Sequence, residues 1–176
     1  MVSVAENLIR MLSLNGVRRV YGVPGDSLNA ITESLRTHHE IEWVHVRHEE
    51  TAAFAAGGAE AEMSGELAVC AGSCGPGNLH LINGLYDAQR SRVPVLALAA
   101  HIPTSEIGTG YFQETHPPGT VPGMFGVRRV RRRPKAAATL LEVAMRAAIE
   151  RRGVAVLVIP GGTWPPRRPR TPARSG

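Results

Sequence analysis

The first hydrophobic pattern in the chain is helical: Val4, Leu8, Ile9 and Leu12 recur at the spacing of one helix face, and Gly16 stands where a left-handed glycine ends a helix. The run VRRVYGV then reads as a short strand, broken by PGD. Asp26 or Ser27 is placed to cap the helix that follows, with Leu28, Ile31 and Leu35 on one side. IEWVHV reads as a second strand, and the Ala-rich stretch from Glu49 as the next helix. ELAVCAG is a third strand and SCGPG its turn, after which Leu79, Ile82 and Leu85 predict a buried stripe. VPVLALAA is apolar throughout, as a strand covered on both faces should be. AATLLEVAMRAAIERRG completes the pattern as an amphipathic helix, and VAVLVIP as a last strand.

Strand and helix alternate, which predicts an α/β fold: a doubly wound, mostly parallel sheet with helices on both faces. At 176 residues the chain suits one domain. Ligands of such sheets sit outside the C-terminal strand ends. GVPGD, RHEE and GSCGPGN collect there, joined by the long loop HIPTSEIGTGYFQETHP.

Composition adds that the chain is expected to be soluble, at 43% hydrophobic and 20% charged. It has no run of about 18 apolar residues to span a membrane. The N-terminal MVSVAENLIRMLSLNG has polar residues where a secretory leader is apolar, so it is read as a helix of the fold. Cys70 and Cys74 have no second metal-ligand pair and read as reduced thiols, hence an expected cytoplasmic location. The net charge of +5 suggests nucleic acid until its distribution is considered. Residues 118–134 hold five arginines and 162–176 four, with no acid in either, and without them the chain would carry −4. Two odd segments, not a basic domain, make the pI, and no nucleic-acid partner is expected.

The chemistry centres on RHEETAAFAAGG. Glu49 at a helix start is stabilised against the dipole by about 0.3–1 kcal/mol, which is one reading of it. The other rests on Ala52, Ala53, Ala55, Ala56, Gly57 and Gly58, small enough for another surface to approach and seal the carboxylate. A desolvated carboxylate can share a proton with a ligand near neutral pH. GSCGPGN could cradle a phosphate on free backbone N–H groups. It lacks both P-loop and dinucleotide spacings, however, and Gly75, Pro76 and Gly77 better suit a flat wall for a ring. His80 reads as a packed or capping histidine, and Gln113 as an amide donor to a substrate or a loop hydrogen bond. His45, His48, His101 and His116 form no metal spacing, so no metal site is expected.

Taken together, YGVPGDSLN, RHEETAAFAAG, GELAVCAGSCGPGNLHLINGLYDA, VPVLALAAHIP and GYFQETHP resemble the N-terminal pyrimidine-binding domain of thiamine-diphosphate-dependent enzymes. Pyruvate oxidase and the quinone-dependent pyruvate dehydrogenase are the most similar branch. The resemblance implies that Glu49 hydrogen-bonds N1′ of the cofactor's aminopyrimidine. The imino tautomer this stabilises lets the 4′ nitrogen deprotonate thiazolium C2, and the ylid attacks a 2-oxo acid. It also implies that Ser73, Gly75 and Pro76 line the pyrimidine, that Val23, Gly25, Phe112 and Gln113 face the reacting carbon, and that the helix at 49–63 joins two subunits of a homo-oligomer. Diphosphate, Mg²⁺ and FAD belong in the family to further domains, and no Gly-Asp-Gly run occurs here. By resemblance, then, the chain is a truncated thiamine diphosphate domain, weak or inactive alone. An acetolactate-synthase-like fragment and a non-catalytic module binding a full-length relative are the alternatives.

Residues 118–134 and 162–176 depart from the family pattern. Read one frame over, 118–134 permits Gln-Glu-Leu-Phe and its continuation, and Met124 before Phe125 forces the Cys that the pattern wants. The opposite shift after Gly161 permits Asp-Val-Ala, with Trp164 before Pro165 forcing the Ala. The expected organisation is therefore a domain over 1–161, damaged at 118–134 with a gap at the fifth strand, and an out-of-frame, disordered tail at 162–176.

Overall fold

The computed structural model describes residues 3–116, 125–129 and 134–161. Most of segment 118–134 and all of 162–176, to which the frame readings apply, lie outside the described residues. Helix α1 (Val4–Leu14) starts at a capping box in which Ser3 Oγ accepts the Glu6 N–H while Glu6 accepts that of Ser3. Strand β1 (Arg19–Gly22), a 3₁₀ turn (Asp26–Leu28), α2 (Asn29–Thr37) and β2 (Glu42–His45) follow. Helix α3 (Glu49–Phe54) continues through a π-helical segment (Ala55–Ala61) into α4 (Glu62–Ser64). Next come β3 (Ala68–Gly72), α5 (Pro76–His80), α6 (Ile82–Ser91) and β4 (Val95–His101). Strand β5 (Phe125–Arg129), α7 (Pro134–Arg151) and β6 (Val154–Pro160) complete the order.

Among the described residues, six strands run parallel in the order β2-β1-β3-β4-β6-β5. Right-handed crossovers dictate the sides of the helices. The steps β1 to β2 and β5 to β6 run one way along the sheet, and β2 to β3 and β3 to β4 the other. Accordingly α2 and α7 share one face with α1, while α3 and α6 share the opposite face. Strand residues alternate between the two cores: Leu96, Leu98, Leu157 and Ile159 face the first, and Val95, Ala97, Val156 and Val158 the second. Leu157 is fully buried. Leu157→Ala is expected to cost about 2–5 kcal/mol, read as a lower urea midpoint at an unchanged slope.

Two expectations need correction. Leu79 is not in the buried stripe: it is 41% exposed, whereas Leu81 and Leu85 are buried. The helix is interrupted at Leu81, between α5 and α6, so the phase of Leu79 does not carry into α6. Nor is there a gap at the fifth strand. Phe125–Arg129 pairs with β6, with a register shift between Phe125 and Arg128. An edge strand needs backbone groups on one side only, and this demand is compatible with an Arg-rich sequence.

Candidate functional site

Strands β1 and β3 are neighbours whose connections leave on opposite faces, so their C-terminal ends open a crevice. Ser27 bridges it. Its Oγ accepts the Cys74 N–H at 2.9 Å and lies 2.9 Å from Ser73 Oγ. This corrects the capping expectation for Asp26 and Ser27: the N-cap of the 3₁₀ turn is Gly25, with no side-chain cap. Gly25 also fits closely, since a Cβ there would lie 2.5 Å from Ser73 Oγ. Val23 sits just past the end of β1, half-buried.

Gly75 has to be glycine on two counts. Its φ is +68°, and a Cβ would meet the Gln113 carbonyl at 2.7 Å. Pro76 then opens α5, at the position where a missing N–H costs nothing. The turn after β3 is thus pressed against the loop after β4, and Gly75 meets Gln113.

Glu49 and Glu50 have different fates. His48 is the N-cap of α3, its Nδ1 accepting the Glu50 N–H at 3.3 Å. Glu50 takes a long 3.4 Å hydrogen bond from Asn83 Nδ2. Glu49 turns inward and is only 9% exposed. Its Oε2 lies 3.0 Å from His80 Nδ1, and its Oε1 faces Gly77, where a Cβ would come within 3.1 Å. The His48 and His80 rings stack at 4.3 Å and 27°. His80, read from sequence as a packing or capping residue, is the direct partner of the carboxylate.

The small residues of α3 and its π segment are used within the chain. Ala52, Ala53, Ala56, Gly57 and Ala61 are buried. A Cβ on Gly57 would meet Ala88 Cβ at 2.9 Å, and one on Gly84 would meet Ala53 Cβ at 2.6 Å. Within the chain, Glu49 is sealed by Gly77 and His80.

Beside the Ser73–Gly77 turn is a cavity of about 350 Å³ whose lining includes Asp26, Ser27, Cys74, Phe112, Gln113 and Gly161. Cys74 Sγ–H donates to Gln113 Oε1 at 3.3 Å. Phe112 is 78% exposed at the cavity, and Gln113 has a φ of +61°. Glu49 does not line this cavity; the turn between them touches both, Ser73 packing beside Gly77 and Cys74 facing the cavity.

The fold therefore brings Gly25, Ser73, Gly75, Phe112 and Gln113 to one edge, with Glu49 across the turn. It also gathers His48, Glu49 and His80, with ligand atoms within 4.8 Å of one another, a grouping that no sequence spacing reveals. Both Nδ1 atoms in that cluster are engaged, one by the Glu50 N–H and the other by Glu49. Cys70 and Cys74 are free thiols. Burial pushes the Cys70 thiol up to about 12. Cys74, Ser27 and His80 are the functional-edge residues to which the sequence assigns no ligand role. Their signal is positional: Cys74 and Ser27 lie just past the ends of β3 and β1, and His80 is the last residue of α5, the helix that follows β3.

Comparison with known proteins decides the family. Residues 2–118 match the thiamine pyrophosphate enzyme, N-terminal TPP binding domain. The chain belongs to this family. The TPP-binding domain is 61% identical over 158 residues to the "Uncharacterized 42.6 kDa protein in isoamylase 3'region" of Pseudomonas amyloderamosa, covering 90% of this chain and 40% of that one. It is 41% identical over 159 residues to the pyruvate oxidase of Lactiplantibacillus plantarum, covering 87% and 25%. An acetolactate synthase of Mycobacterium avium is 36% identical over 113 residues, covering 64% and 18%. The chain thus spans well under half the length of these relatives. Among the described residues, no helix is long and apolar enough to cross a membrane.

Proposed function

We propose that this TPP-binding domain is the aminopyrimidine half of the site of a 2-oxo acid decarboxylating oxidase or dehydrogenase, with pyruvate as the substrate. One observation carries the reading: a buried carboxylate, Glu49, with one oxygen held by His80 and the other facing a glycine-walled turn. The residues fit a flat ring. Gly75 and Gly77 present no side chain, with Pro76 between them and Ser73 at the start of the turn. The greater identity with the pyruvate oxidase than with the acetolactate synthase supports the substrate class.

Thiamine diphosphate, when bound, supplies the carbanion and the electron sink for decarboxylation. The chain's own part is to hold a proton in place. His80 Nδ1–H donates to Glu49 Oε2, which orients the carboxylate and leaves Oε1 to exchange a proton with the ring nitrogen N1′. Phe112 and Gln113, with Val23 and Gly25, face the reacting carbon. Diphosphate and Mg²⁺, and FAD in this branch, belong to further domains, so this chain alone binds the cofactor weakly. A second copy meets the outer side of the 49–63 helix, where Phe54 and Met63 are exposed. The domain extends over 1–161, with 118–134 and 162–176 as out-of-frame segments, and the family match ending at residue 118 is consistent with this. Resequencing the gene across both basic segments tests the frame reading: confirmation of the present frame rejects coding error.

The site is tested by NMR titration of the uniformly ¹⁵N-labelled chain with 4-amino-5-hydroxymethyl-2-methylpyrimidine. Shifts are expected at Gly75, Gly77 and His80. Their absence, or shifts confined to another face, would reject the assignment.

A further inference from the structure

We propose that Glu114 is the positioning residue that holds Phe112 and Gln113 at the mouth of the cavity, by clasping the loop after β4 onto itself. The inference rests on the reading that these two residues face the bound ligand. Both carboxylate oxygens are used. Glu114 Oε1 accepts the Gly108 N–H, and Oε2 accepts the Gly110 N–H at 2.9 Å. The Glu114 N–H in turn donates to the Tyr111 carbonyl at 2.9 Å, closing the ring of chain. Gly108 and Gly110 have φ of +91° and +74°, turns open to glycine that let both N–H groups converge on one side chain.

The loop needs such a clasp. Phe112 is 78% exposed and is not held by burial. Gln113 adopts φ +61°, a conformation that persists in an L residue only when its surroundings impose it. Gln113 is then fixed from its other side by Gly75 and by the Cys74 thiol. The Gly108 N–H does most to hold the Glu114 carboxyl below its ordinary range, aided by the backbone at Gly110 and Tyr111 and by the His116 charge, with burial opposing. His116 is the charged group acting on it among the described residues.

An amide in place of the carboxylate can accept only one of the two N–H groups and turns its own N–H toward the other. The test is the rate at which Cys74 reacts with 4,4′-dithiodipyridine in the full chain, without ligand. Cys70 is the silent thiol, fully buried. Glu114→Gln is expected to speed Cys74 labelling about threefold to tenfold at pH 7, since loss of one bond to a charged acceptor favours local opening. The sign of the pH effect follows from the depressed carboxyl. The clasp is complete above the unfolded value and is lost as pH falls through the lower folded one, so in acid the wild-type rate should approach that of the variant. Glu106→Gln, on the same loop, should leave the rate unchanged.

Equal rates for wild type and Glu114→Gln at pH 7, or an equal rise with Glu106→Gln, would overturn the proposal. If Glu114→Gln fails to fold, wild-type amide exchange decides: Gly108 and Gly110 should be protected at pH 7 and lose protection in acid, and unprotected amides at pH 7 overturn it. The pyrimidine fragment should slow wild-type labelling further. A pH-dependent clasp in a chain that binds no pyrimidine would reject the proposed function and keep the clasp. Pyrimidine binding with no difference between wild type and variant would do the reverse.

Discussion

Glu49→Ala is expected to weaken binding of the pyrimidine fragment about tenfold to a hundredfold, because it removes a charge-assisted hydrogen bond to the ring. It also leaves His80 without the acceptor that now lies 3.0 Å from its Nδ1. Glu49→Gln separates charge from shape. The amide keeps the volume and can still donate to a neutral ring, so some binding should survive. What it cannot do is stabilise a protonated ring. A carboxylate next to a cationic ring raises the ring's pKa by roughly 1–3 units, and wild-type affinity should therefore increase as pH falls from about 8 to about 6. In Glu49→Gln that slope should be flat. Titrations at three pH values measure both effects, and an equal slope in the two proteins would exclude Glu49 as the group that exchanges the ring proton.

Gly84→Ala is expected to lower stability at a position away from the ligand and to disturb the site as well. A Cβ on Gly84 would lie 2.6 Å from Ala53 Cβ and 2.7 Å from the backbone nitrogen of Phe54. The second contact is with backbone, which no rotamer change relieves. Helices α3 and α6 would have to separate, at a cost of about 1–3 kcal/mol or more. Since α3 begins at Glu49 and α6 follows the α5 segment that ends at His80, separation should also lengthen the Glu49–His80 contact. Urea denaturation measures the first effect. Weaker fragment binding by the folded fraction reports the second, and an unchanged denaturation midpoint would show that the helices accommodate a methyl.

The alternation of periods along the chain was enough to read a doubly wound parallel sheet, because strands buried on both faces and amphipathic helices have distinct patterns. Leu79 escaped that reading because a single interruption at Leu81 resets the helical phase, and one residue's break leaves no compositional mark. The fifth strand was obscured for a different reason: edge pairing depends on backbone groups, whereas the pattern weighs side chains. At the site, Glu49 was legible from its position at a strand-to-helix junction. The relation of His80 to it was not, as the two are 31 residues apart and meet only through the packing of α3 against α5 and α6. The Ala and Gly run was legible as a close-packing surface. Whether α6 of the same chain or another molecule fills that surface depends on topology, to which local composition is blind.

The measurement that bears most directly on the central claim compares three ligands on the wild-type chain: the aminopyrimidine fragment, thiamine diphosphate and inorganic pyrophosphate. If this domain supplies the ring-binding, proton-exchanging half of the site, the first two should bind within about threefold of each other, at millimolar dissociation constants, and pyrophosphate should not bind. Thiamine diphosphate binding more than about a hundredfold tighter than the fragment, or binding of pyrophosphate alone, would place an anchoring site within this chain and contradict the account.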